Sequence, residues 1–290
     1  MHRPLLPTHE VTMNRTDEEI RRILSSFRPP ERAAYPELDG YSRDDIYRDF
    51  FGGGGLYLTV RMIRALHLKS GQEVLDLGCG KGETSVYMAQ HCSVQVKAVD
   101  LWTTAEFLTQ KFAEHGVGDR ASAIQMDATG PLPYAQNEFD AIFCLNSFNF
   151  YGAEPGFLPH LLNHLKPGGK LCIGSEVLSC EFTAEQLANP PFVYAFNLPV
   201  PNEQVNVFEG DFSKQHSPTW WRDFFENSGL MDVETCYELD DAEAIYQELT
   251  RYEYENNIDP FDVQILLDQL EWGYTQPPHK SLFVLCARKR

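Results

Sequence analysis

The sequence predicts an α/β fold in which a largely parallel sheet is covered by helices on both faces. Three observations lead there. From residue 71 onward, short apolar runs alternate with stretches of helical periodicity, which is the pattern of successive βα units. The runs at 74–77, 94–99, 139–145 and 170–177 are nearly continuous in apolar residues rather than alternating, so each is buried on both faces, as strands of a parallel sheet are. At 74–82, Val-Leu-Asp-Leu-Gly-Cys-Gly-Lys-Gly, a strand runs into a glycine-rich turn that opens a helix.

The elements follow in order. Thr16-Asp17-Glu18-Glu19 is a capping box, and Ile20, Ile23, Leu24 and Phe27 share one face of the helix it starts over 18–27. Arg28-Pro29-Pro30 ends that helix. Ser42 caps a second helical start, glycines 52–55 interrupt, and 56–66 reads as another helix. Strands are expected at 73–77, 94–99, 121–126, 139–145 and 170–177, with helices at 84–91, 104–115 and 156–165 between them. The turn Lys166-Pro167-Gly168-Gly169 precedes the fifth strand. After residue 177 the alternation pauses through 178–216, rich in Pro, Asn and Phe. A helix at 218–227 and a strand at 230–238 resume it. An acidic stretch at 239–272 reads as one or two helices, and 281–287 as a last strand.

The chain has 290 residues, 24 Lys and Arg against 42 Asp and Glu, and a formal charge of −18. That balance excludes a protein that wraps nucleic acid, which needs clustered cations to neutralise phosphates. It equally disfavours an anionic membrane surface. The charge is uneven: residues 1–70 carry net +1, whereas residues 232–272 carry 13 acids and 1 base. This densest part is expected to be solvated helix surface. No apolar segment is long enough to span a bilayer, and the N-terminus lacks a signal-peptide apolar region. The seven cysteines form no Cys-x-x-Cys pair, and several sit in apolar runs, so a reduced, cytoplasmic setting is expected.

Two chemistries use a turn like 78–82. Dinucleotide enzymes need G-x-G-x-x-G so that a pyrophosphate reaches a helix N-terminus. Here the glycines fall at 78, 80 and 82, none stands at 83, and Asp76 precedes them, placed to pair with a ligand ammonium group. Asp76-Leu77-Gly78-Cys79-Gly80-Lys81-Gly82 resembles the first motif of class I S-adenosylmethionine-dependent methyltransferases. Lys97-Ala98-Val99-Asp100-Leu101 resembles the second motif, Gln125-Met126-Asp127-Ala128 the third, 139–146 the fourth strand with its exit, and 165–171 the turn before strand five. The resemblance covers about 70–177 closely and 217–288 by topology.

That resemblance implies a Rossmann-like seven-stranded sheet in the order 3-2-1-4-5-7-6 with the last strand antiparallel. It implies S-adenosylmethionine as cofactor and S-adenosylhomocysteine as product. Asp76, Gly78, Cys79 and Gly80 would form the cofactor turn. Asp100 would accept the ribose hydroxyls, Leu101 and Trp102 would lie beside the adenine, Asp127 and Ala128 would receive its amino group, and Asn146 would close the strand-four side. Residues 1–56 would form an N-terminal helical lid in which Gly53 approaches the cofactor. The methyltransferase domain would be 57–290, with 178–216 an acceptor lid and 239–272 an acidic insertion between the last two strands.

The acceptor site is less marked, because methyl transfer from a sulfonium needs alignment more than acid or base. Tyr57, Asn149, Tyr151 and Tyr194 are candidates for lining the pocket. His216 and Glu176, at element ends on the expected active-site side, are candidates for chemistry. Lys81 is expected to face solvent. His160 and His164 stand i, i+4 but lack a third ligand, so no metal is expected. The reading is a methyltransferase of a small-molecule acceptor, with a peptide or protein methyltransferase, or a non-catalytic cofactor-binding protein of the same fold, as alternatives. A homodimer stays open.

Overall fold

The computed structural model describes residues 15–188, 216–258, 260–273 and 278–290. Among them, β1 (Glu73–Leu77), β2 (Gln95–Asp100), β3 (Ala121–Gln125), β4 (Phe139–Leu145), β5 (Leu165–Leu178), β6 (Met231–Glu238) and β7 (Lys280–Lys289) form one sheet in the order β3-β2-β1-β4-β5-β7-β6. The first five strands pair in parallel, and β7 runs antiparallel to both β5 and β6. The order and direction expected from the family resemblance are therefore those of the structure. β1 and β4 are neighbours although two strands separate them in sequence, so the chain leaves β1 in one direction and returns on its other side. That reversal opens a crevice beyond the carboxyl ends of β1 and β4, where ligands of open α/β sheets bind.

The helices are α1 (Asp17–Ser26), α2 (Arg43–Tyr47), α3 (Gly55–Leu66), α4 (Glu83–His91), α5 (Ala105–Glu114), α6 (Phe157–Leu162), α7 (Ala184–Ala188), α8 (Pro218–Asn227), α9 (Ala242–Glu255) and α10 (Pro260–Gly273). Continuous apolar strands feed two cores. On one face, Val74, Val96 and Phe143 pack with Leu58 and Met62 of α3, Val86 and Met88 of α4, and Ile245 and Tyr246 of α9. On the other, Leu75, Ile142 and Ile173 pack with Leu158 and Leu161 of α6 and Trp221 and Phe225 of α8. Thr16 closes the expected capping box with Glu19, and Ser42 closes another with Asp45.

The acidic stretch is not a free solvated surface. α9 and α10 pack against the N-terminal segment, with Leu24 of α1 buried against Val263 and Leu267. Arg15 pairs with Asp268 and Glu271, Arg43 with Glu255, and Arg61 with Asp241. Tyr252 donates to Asp44 at 2.9 Å, and Arg251 reaches the Leu24 and Phe27 carbonyls. The arginines that leave residues 1–70 near neutral thus sit on the carboxylates of 232–272. Each exposed pair contributes little, but the shared apolar contact joins the two segments into one cap. No helix among the described residues is long and apolar enough to cross a membrane.

Candidate functional site

The glycine-rich turn lies at the end of β1. Gly78 has φ +71°, and a Cβ there would run into the Ser147 side chain. Ser147 Oγ donates to the Leu77 carbonyl at 3.0 Å and accepts from the Tyr151 hydroxyl at 2.9 Å, so the turn is seated on the exit of β4. Four of its five amides are already committed. Gly78 and Cys79 N–H donate to the Val99 carbonyl, Gly80 N–H to Asp100 Oδ2 at 2.8 Å, and Gly82 N–H to the Cys79 carbonyl. Phosphate cradles need convergent free N–H groups, and these four are spent.

Carboxylates dominate the crevice instead. Asp100 ends β2 and is 7% exposed, its Oδ1 accepting from Trp102 and Thr103 N–H. The same tight turn leaves Leu101 and Trp102 outside, 51% and 68% exposed. Asp127, just beyond β3, is exposed, and hydrogen bonds from Thr129 hold its carboxyl below the usual range. Asp76 departs from expectation. It does not line an open wall but is fully buried behind α4, its Oδ2 accepting from Thr84 and Ser85 hydroxyls at 2.6 Å each. Its Oδ1 is buried without a partner. Burial pushes its pKa up to about 6, against the two hydroxyls, and the nearby Asp100 charge adds to the rise.

The opposite wall is the segment before α3. Asn146 takes φ +53° at the end of β4, a conformation Asn tolerates. It holds this segment by donating to the Phe51 and Gly53 carbonyls at 3.0 and 2.9 Å. Asn146 is therefore occupied by the protein's own loop. Phe51 packs over Gly80, where an added Cβ would meet its ring at 3.1 Å. Lys81 keeps 41% of its side chain exposed, as expected, and pairs with Asp49 at 2.8 Å. Gly53 N–H donates to Glu176 Oε1 at 3.0 Å, and Glu176 Oε2 pairs with Lys280 at 3.1 Å.

The remaining candidates scatter. Tyr57 is corrected outright: its ring is fully buried and its hydroxyl donates to buried Glu248 at 2.8 Å, so it belongs to the core. Tyr151 turns its hydroxyl to Ser147 beneath the turn, and Asn149 accepts from Ser175 at 3.4 Å. His216 stacks on Trp220 with centroids 3.5 Å apart, and its Nδ1 lies 3.0 Å from Glu181. Tyr194 and most of 178–216 lie outside the described residues. His160 and His164 bond the Gly130 and Ala135 carbonyls. Among the described residues no group of three metal-ligating side chains converges. A cavity of about 460 Å³ lined by Tyr41, Asp49, Tyr87 and Lys111 opens beside α2, α4 and α5. Sequence reasoning missed Ser147, Asp49 and Tyr246; only Ser147, one residue past the fourth motif, left a positional hint.

Residues 74–169 match the sequence profile of a family described as a methyltransferase domain. Phosphoethanolamine N-methyltransferase of Triticum aestivum is 31% identical over 141 residues, covering 48% of this chain and 27% of that protein. The chain thus spans about a quarter of that curated relative's length. Phosphoethanolamine N-methyltransferase 2 of Haemonchus contortus, solved with phosphomonomethylethanolamine and S-adenosylhomocysteine, superposes with TM-score 0.64 at 17% identity, over 89% of this chain and 58% of that one. The cyclase SpnF superposes with TM-score 0.63 at 16% identity, over 91% and 98%. The motif order along 74–169, the 3-2-1-4-5-7-6 sheet and these likenesses agree: residues 74–169 match a methyltransferase domain, and the chain shares the Rossmann-like fold of the solved methyltransferases.

Proposed function

We propose that this protein transfers a methyl group from S-adenosylmethionine to a small-molecule acceptor. One observation carries the reading. Four of the five amides of the turn 78–82 are spent within the protein, while Asp100 and Asp127 follow the ends of β2 and β3 and Asp76 lies beneath the turn. Such a crevice suits a cationic ligand rich in hydroxyl and amino donors, and disfavours a pyrophosphate. S-adenosylmethionine, when bound, supplies an electrophilic methyl on a sulfonium and leaves as a neutral thioether.

The residues fit that group. The buried, unpartnered Asp76 Oδ1 provides negative potential under the turn of Gly78, Cys79 and Gly80. Asp100 receives the ribose hydroxyls, the exposed faces of Leu101 and Trp102 cover the adenine, and Asp127 with Ala128 binds its amino group. Asn146 and Gly53 act through the loop they build. Tyr151 and Asn149 flank the acceptor side. Glu176, already engaged by Gly53, Tyr246 and Lys280, serves positioning rather than proton transfer in this reading. His216, its Nδ1 held by Glu181, offers Nε2 to an acceptor that must lose a proton. The relatives named above for small-molecule acceptors support that substrate class over a peptide. The charge of −18 argues against nucleic acid as partner, and seven unpaired thiols argue for the cytoplasm.

The test is thermal unfolding with added S-adenosylhomocysteine. A native-state ligand at one hundred times its Kd stabilises by about 2.7 kcal/mol, so the Tm rises by several degrees. No rise at saturation, or a rise with NAD instead, overturns the reading.

A further inference from the structure

Tyr246 belongs to α9 in the acidic insertion, yet its side chain reaches the site. Its hydroxyl donates to Glu176 Oε1 at 3.0 Å, the same oxygen that accepts from Gly53 N–H. A Cβ on Gly53 would lie 2.7 Å from a Tyr246 ring carbon and 2.8 Å from Glu176 Oε1. Ring, carboxylate and loop backbone are therefore in direct contact, and the absence of a side chain at 53 is what permits it. Lys280 Nζ, which neutralises the other Glu176 oxygen, sits 5.3 Å over the Tyr246 ring.

The loop is held from three directions. Asn146 takes its carbonyls at residues 51 and 53 and accepts from Glu176 N–H at 3.3 Å. Asp49 holds Lys81 of the glycine-rich turn. The third hold, through Glu176, ends on Tyr246. We propose that Tyr246 is a positioning residue: through Glu176 it sets where Phe51–Gly53 lies against the cofactor turn, so that the acidic insertion is part of the methyl-transfer site. This rests on the cofactor reading above. Tyr246 itself is 2% exposed and makes its contact with the loop, not with the reacting groups. Packing alone does not account for the hydroxyl, since a phenyl ring would fill the same space.

Tyr246→Phe keeps the ring and removes one donor. In the full chain without ligand, hydrogen exchange at the Gly53 amide should accelerate about five-fold. Binding of S-adenosylhomocysteine by calorimetry should weaken three- to ten-fold, with Tm nearly unchanged. Glu176→Ala, which removes the acceptor shared by Gly53 and Tyr246, should shift both readouts in the same direction, and it serves if Tyr246→Phe folds poorly. Unchanged exchange, or faster exchange with unchanged affinity, overturns the positioning role. Failure of the wild-type chain to bind S-adenosylhomocysteine removes the cofactor reading and the positioning role together, and is recognised because the wild type itself is silent.

Discussion

Asp76→Asn should make the folded protein more stable at neutral pH while weakening its hold on a cationic ligand. The carboxyl is fully buried, receives two hydroxyl hydrogen bonds on one oxygen and none on the other. Burial raises it from the ordinary 3.8 to about 6, so the folded state binds its proton more tightly than the unfolded chain does. That displacement corresponds to ~3 kcal/mol at 1.36 kcal/mol per pKa unit. The sign follows: the contribution is fully present below about pH 4 and is lost as pH rises through about 6, leaving the wild type with the whole cost at pH 7.5. Asn keeps an acceptor for Thr84 and Ser85 and places an amide where Oδ1 lacks a partner, which returns ~1 kcal/mol of the gain. A net stabilisation of ~2 kcal/mol is expected, roughly 3 °C in Tm for a chain of this size. Thermal unfolding of both proteins from pH 4.5 to 8 measures it: the difference should grow from pH 4.5 to about 6 and stay constant above that. A difference that is constant over the whole range, or a variant less stable at pH 7.5, would refute the reasoning. Calorimetry with S-adenosylmethionine should show at least ten-fold weaker binding in the same variant, because the charge beneath the turn is gone.

Two further outcomes are expected. Gly78→Ala places a side chain at φ +71° and into Ser147, which should destabilise by ~2–4 kcal/mol; adding Ser147→Gly should restore part of that in denaturant titrations, and a strictly additive pair would show that the contact is irrelevant. Trp102→Ala, at a ring 68% exposed, should leave Tm within about 1 °C and weaken S-adenosylhomocysteine about ten-fold, as loss of base stacking does; unchanged affinity would remove Trp102 from the site.

The sheet was legible because its signals are local. The run at 73–77 and the run at 139–145 became strands with those same bounds, since a buried parallel strand writes its burial into every residue. The capping boxes at Thr16 and Ser42 were legible for the same reason, each being a contact across three residues. Tyr57 misled because its place beside a glycine run suggests a pocket, while its side chain points into a core completed by Glu248, far along the chain. The partner of Lys81 was likewise not legible, since nothing near it in sequence announces Asp49.

By itself, then, the sequence determined the βα alternation, the glycine-rich turn and the order of the carboxylates at Asp76, Asp100 and Asp127, all of which depend on spacing within one strand–turn–helix unit. Only the tertiary structure decided that Asp76 is sealed beneath the turn rather than open to the crevice, that Asn146 and Glu176 grip the protein's own loop, and that the acidic stretch forms a wall with Tyr246 in it. Those facts depend on which distant segments share a volume, and a charge run reads the same in sequence whether water or arginine covers it.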